Sequence, residues 1–281
     1  MKRFRSKSLS KRPRVRSSAH AHAGRRGVPA DAERWERKAR AQWKALDRVC
    51  TDLDSRARLT QLIKRLTGSD RGSRESALAE LELATQLLRV GFHVGFLPES
   101  QARTADLECA RGEERFFVEV TALVGSARRS VRSSPLREWS RNGEDDDGVE
   151  QDGQTLLRRL LARISQKARQ LGHYQASVLL AISVPRQDAT FRVHPEACDL
   201  KRVAAGITML LPRLKQLSAV LLALWDVNPL PERSGVRLAN VHIVERAKHQ
   251  VAYPRVRLLI LNPGAAVPLR EVEVESLKGL L

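Results

Sequence analysis

Two acidic residues are spaced for joint chemistry. Thr104-Ala-Asp-Leu-Glu-Cys-Ala110 and Arg115-Phe-Phe-Val-Glu-Val-Thr-Ala-Leu123 both alternate polar and apolar residues, and Arg111-Gly-Glu-Glu114 between them reads as a turn, so the stretch predicts a β-hairpin. Asp106, Glu119 and Thr121 then share one face. If Ala110 pairs with Arg115, Asp106 falls directly opposite Glu119, with Cβ atoms about 5 Å apart. Facing carboxylates repel unless something neutralises them, and a divalent cation does so; hard oxygen ligands favour magnesium or manganese. The bland alternative is a hairpin face on which both acids meet water.

A third acid and a lysine occupy positions that call for apolar residues. On the helix expected from Ser73 to Val90, Ala77, Leu81, Ala84, Leu87 and Leu88 gather on one side, and Glu80 falls with them, whereas Glu82 falls opposite. An acid on an apolar stripe is costly unless paired or bound to metal. The helix expected from Gln154 to Leu171 carries Leu157, Leu160, Ile164 and Leu171, with Lys167 in the stripe, so its ammonium either snorkels out or meets buried acids.

The elements that must position these groups follow in order. Asp31 to Leu66 predicts two helices, broken near Thr51-Asp-Leu-Asp54 and rich in arginine and lysine, then a linker at Gly68-Ser-Asp-Arg-Gly-Ser73. Phe92-His-Val-Gly-Phe-Leu97 is the first strand, and the largely apolar Ser177-Val184 is a strand covered on both faces. A helix near Ala197 to Leu211, strands at Ala219–Trp225, Ala239–Val244 and Val256–Leu261, and a short helix after Pro268 complete the chain.

Composition adds a preferred partner. The chain has 281 residues and a formal net charge of +18, a balance that points to polyanions, nucleic acid first. Residues 1–30 carry ten lysines and arginines and no acid, which reads as a disordered phosphate-binding tail. The polar passage from Gly125 to Gly153 holds Arg128, Arg129, Arg132 and Arg137, expected to contact nucleic acid, followed by Glu144-Asp-Asp-Asp147, expected to be solvated. The cysteines, Cys50, Cys109 and Cys198, have neither zinc spacing nor a disulfide framework, which fits a cytoplasmic setting, and no apolar run suggests a membrane span.

The order helix, three strands, helix, strand over about residues 73–184 resembles the αβββαβ core of the PD-(D/E)XK nuclease superfamily, the restriction-endonuclease-like fold. The likeness rests on Thr104-Ala-Asp106 for the "PD" element and Glu119-Val-Thr121 for "(D/E)XK". It implies an α/β domain over 73–281, with a mixed sheet flanked by helices, behind a helical segment at 31–72. It also implies Asp106 and Glu119 as magnesium ligands, the Val120 carbonyl as a further ligand and Glu80 as the helix acid. Ala105 stands for proline, and Thr121 stands for the motif lysine. Some members of the superfamily move that lysine to a neighbouring helix, and Lys167 is the expected replacement. The implied activity is magnesium-dependent cleavage of nucleic acid, DNA ahead of RNA. The competing expectation is a catalytically silent nuclease fold that binds nucleic acid or serves as a scaffold, and the sequence leaves open whether the chain forms a homodimer.

Overall fold

The computed structural model describes residues 30–98, 105–124, 147–185, 196–230, 238–250 and 253–281. In chain order these form α1 (Ala30–Asp47), α2 (Leu53–Thr67), α3 (Arg71–Arg89), β1 (His93–Phe96), β2 (Leu107–Arg111), β3 (Glu114–Ala122), α4 (Asp147–Gln170) and β4 (Ser177–Val184). There follow β5 (Glu196–Cys198), α5 (Leu200–Leu210), β6 (Ala219–Leu224), β7 (Val227–Pro229), β8 (Val241–Glu245), β9 (Val256–Leu261) and α6 (Glu271–Lys278). The basic tail at 1–29 and the arginines at 128, 129, 132 and 137 lie outside the described residues.

The apolar runs become the middle of a mixed seven-stranded sheet, ordered β1-β2-β3-β4-β6-β9-β8. β3, β4 and β6 run parallel, and the remaining pairs are antiparallel. β4, β6 and β9 are buried at almost every position because helices cover both faces. The molecule is thus an α/β protein. β5 and β7 pair separately as a small parallel ribbon, which the sequence reading did not anticipate.

Alternation along the strands assigns each helix to a face. Val94, Phe116, Val118, Val120, Leu179, Ala181, Leu221 and Leu259 join one core with residues of α1, α2, α3 and α6. Val178, Leu180, Ile182, Val220, Leu222, Leu258 and Ile260 join a second core with α4 and α5. The two N-terminal helices are therefore integral to the first core: Leu46, Leu59 and Leu62 are fully buried there.

The β2–β3 hairpin keeps the expected register, with Ala110 opposite Arg115. Gly112 takes φ +64° and Glu113 does not have positive φ, as in a tight turn with glycine at its first central position.

α2 is fixed at its start. The Asp52 carboxylate accepts from the Ser55 N–H at 2.7 Å, capping the helix within the expected break at Thr51-Asp-Leu-Asp54. The buried Ser55 hydroxyl then accepts from the Phe96 N–H at 2.8 Å, tying α2 to the end of β1. Ser55→Ala leaves that buried N–H unpaired and is expected to cost about 1–3 kcal/mol of stability, read from urea unfolding with an unchanged m-value.

Candidate active site

Asp106 sits in a bend just before β2. Its carbonyl accepts from the Leu97 N–H at 2.9 Å, and its N–H donates to the Val118 carbonyl at 3.0 Å. Val118 is already the ladder partner of Leu107, so two residues of one strand oppose one of the other, the pattern of a bulge. This corrects the expected direct pairing of Asp106 with Glu119: the regular ladder stops at Leu107, and the bulge re-aims the Asp106 side chain. Ala105 is fixed beside it, its N–H donating to the Tyr174 hydroxyl at 2.7 Å.

The Asp106 carboxylate bridges backbone and side chain. Oδ2 accepts from the Val120 N–H at 2.8 Å, and Oδ1 accepts from Arg58 Nη2 at 3.0 Å. Because the N–H and C=O of one residue leave an extended strand on the same edge, the Val120 carbonyl also points towards the side where β2 has ended.

Glu80 lies on the apolar stripe of α3, buried to 2% exposure, as its spacing suggested. Its partner is Arg58 of α2: Nε donates to Oε1 at 3.1 Å and Nη2 to Oε2 at 3.2 Å, while Arg65 approaches Oε2 at 3.7 Å. Glu119 points to the opposite face of the sheet, where the Lys167 ammonium of α4 donates to its Oε1. Buried leucines, isoleucine and alanine at 156, 160, 164, 168 and 171 define the inward stripe of α4, and Lys167 occupies its shoulder beside Ala168. The structure therefore brings Asp106, Glu119 and Lys167 together, with Glu80 attached through Arg58. Thr121 is buried in β3.

Arg58 is the component that the sequence reading missed. Its signal was the one used for Lys167: with Ser55, Leu59, Leu62 and Leu66, Arg58 falls on the buried side of its helix. Tyr174, whose hydroxyl holds the Ala105 N–H, had no comparable signal, because it follows the last turn of α4.

Burial and crowding set the electrostatics. Burial first, and the Asp106 charge second, push the Glu80 carboxyl up, against the pull of Arg58 and Arg65. The same two causes push Glu119 from 4.5 to about 7, opposed by Lys167 and Arg58. Asp106 is also raised by burial, against the Val120 N–H, Arg58 and Lys167.

Among the described residues, no three His, Cys, Asp or Glu side chains converge as a complete metal cage. Asp106, Glu119 and the Val120 carbonyl are nevertheless hard oxygen donors of the kind magnesium takes, since that ion commonly binds through one or two carboxylates and completes its shell with water and substrate phosphate. The donor chemistry fits the ion. Further along α4, Arg159 and Arg163 precede Lys167 at four-residue spacing and share its side of the helix. Arg159 donates to the Val124 carbonyl at 2.8 Å, and Arg163 to the Gln166 side chain at 3.1 Å.

Compared with known proteins, the chain matches no family model, no curated protein and no solved structure.

The raised Glu119 carboxyl has a stability consequence. A group with a raised pKa in the folded state contributes stability that is full below the unfolded value of 4.5 and is lost as pH rises through about 7. In chelator, the wild type is therefore expected to lose up to about 3 kcal/mol relative to Glu119→Gln between about pH 5 and 8. Urea unfolding of both proteins across that range checks it; parallel pH profiles would refute it.

Proposed function

We propose that this protein is a divalent-cation-dependent nuclease that hydrolyses phosphodiester bonds in nucleic acid, DNA ahead of RNA, on a restriction-endonuclease-like core. The observation that carries the reading is the Lys167 ammonium on Glu119, beside Asp106. In this reading the Lys167 ammonium would take the part of the motif lysine, which Thr121 does not supply. The succession α3-β1-β2-β3-α4-β4 and the bulge that aims Asp106 past the end of the ladder support it further.

Asp106, Glu119 and the Val120 carbonyl would hold magnesium or manganese, which supplies an activated water and neutralises charge developing on the phosphate. The chain's own residues do the rest. Lys167 orients Glu119 and presents positive charge to the reacting phosphate. Arg159 and Arg163 continue that charge along α4, so the backbone of the nucleic acid would run beside this helix.

One observation favours a second reading. Arg58 and Lys167 already pair with the acids without an ion, as they would in a silent fold that binds nucleic acid through its basic surface.

Cleavage of single- and double-stranded DNA and RNA with magnesium or manganese separates the two. The nuclease reading expects Asp106→Ala and Glu119→Ala to lower cleavage by roughly 10²-fold or more, and Lys167→Met to lower kcat by about the same factor with KM little changed. Wild-type binding without cleavage under any metal condition would leave the silent module. For the substrate track, Arg163→Ala is expected to reduce the salt dependence of binding by about one phosphate contact, a change of roughly 0.7–0.9 in the slope of log K against log salt.

A further inference from the structure

Arg58 holds two acids at once. Its Nη2 lies 3.2 Å from Glu80 Oε2 and 3.0 Å from Asp106 Oδ1, with Nε a further 3.1 Å contact to Glu80. The Arg58 side chain is 2% exposed, and that of Glu80 is 3% exposed. The other Asp106 oxygen is engaged by the Val120 N–H. A cation bound by Asp106 therefore contends with the guanidinium for Oδ1, and two positive groups on one carboxylate oxygen repel strongly in a buried setting.

We propose that Arg58 is a positioning residue that competes with the divalent ion for Asp106, and that Glu80 is the partner that takes up the guanidinium when the ion binds, not a metal ligand. This rests on the metal site of the nuclease reading. Three features argue for it. Glu80 packs on the face of the sheet bearing α3, whereas Glu119 faces α4. Both Glu80 oxygens already accept from Arg58 in the two-point geometry that suits a guanidinium. Asp106, by contrast, accepts from Nη2, a nitrogen that it shares with Glu80, so this is the contact that gives way. With Glu80 as the stronger anchor, ion loading requires only that Nη2 let go of Oδ1. Arg58 then tunes how readily the site accepts an ion, and Glu80 sets how tightly Arg58 clings to Asp106.

Competition and ligation predict opposite outcomes in a pair of variants. Manganese binding is measured on the full chain without substrate, by the electron paramagnetic resonance signal of free Mn2+, for wild type, Glu80→Gln and Arg58→Met/Glu80→Gln. Competition expects Glu80→Gln to weaken binding about tenfold, because Arg58 is left with Asp106 alone. It expects the double variant to bind at least about tenfold more tightly than Glu80→Gln, because the contender is gone and the Asp106 carboxylate is left without a counter-charge other than the ion. Arg58→Gln/Glu80→Gln, which keeps hydrogen-bonding groups in place, provides a second neutral pair, and far-ultraviolet circular dichroism checks that each variant folds. Were Glu80 a ligand, both neutral pairs would bind as weakly as Glu80→Gln, which overturns the competition while Asp106→Ala and Glu119→Ala still abolish binding. Manganese binding by neither the wild type nor any variant would overturn the metal site itself, and the competition with it.

Discussion

Carboxyl groups crowded at the end of a sheet repel one another, and in this protein they are also removed from water. Asp106, Glu119 and Glu80 can be buried together only because each face of the sheet delivers a cation to them. Arg58 arrives from α2 on one side and Lys167 from α4 on the other. Breaking either pair leaves an uncompensated buried charge, an expensive fault in a folded chain. The helices on both faces are thus bound to the sheet electrostatically as well as by their apolar stripes.

That constraint explains why the two N-terminal helices belong to the fold. α1 and α2 fill the same core as α3, and α2 is locked by its Asp52 cap and by the Ser55 hydroxyl at the end of β1. These ties set where Arg58 enters. On the opposite face, the inward stripe of α4 brings Lys167 to Glu119 at its shoulder. Asp106 belongs to neither face; its bend lets one side chain meet partners from both the sheet backbone and α2.

Much of this arrangement was legible in the residues because periodicity is strong where burial is complete. Ser177–Val184 and Val256–Leu261 have the bounds their apolar runs suggested, and Glu80 and Lys167 betrayed themselves as charges on apolar stripes. The bulge was not legible, since alternation continues unbroken through Asp106 and only the path of the backbone reveals two residues opposing Val118. The Arg58 partnership was hidden for a different reason. Its helix is crowded with basic residues, and an arginine on a buried stripe declares itself only when the acids that receive it are known. The β5–β7 ribbon, with three residues in each strand, is too short for any pattern to register.

The ties that complete the site are long in sequence. Arg58 to Asp106 and Glu119 to Lys167 each span 48 residues, one reaching back from the hairpin and the other forward. Closing such loops costs chain entropy before any contact compensates it. The hairpin itself is local and can form early, so its acids exist as a pair before either counter-charge arrives. Loop-closure entropy therefore favours assembly of the charged centre after the hairpin, when both layers of helices have docked.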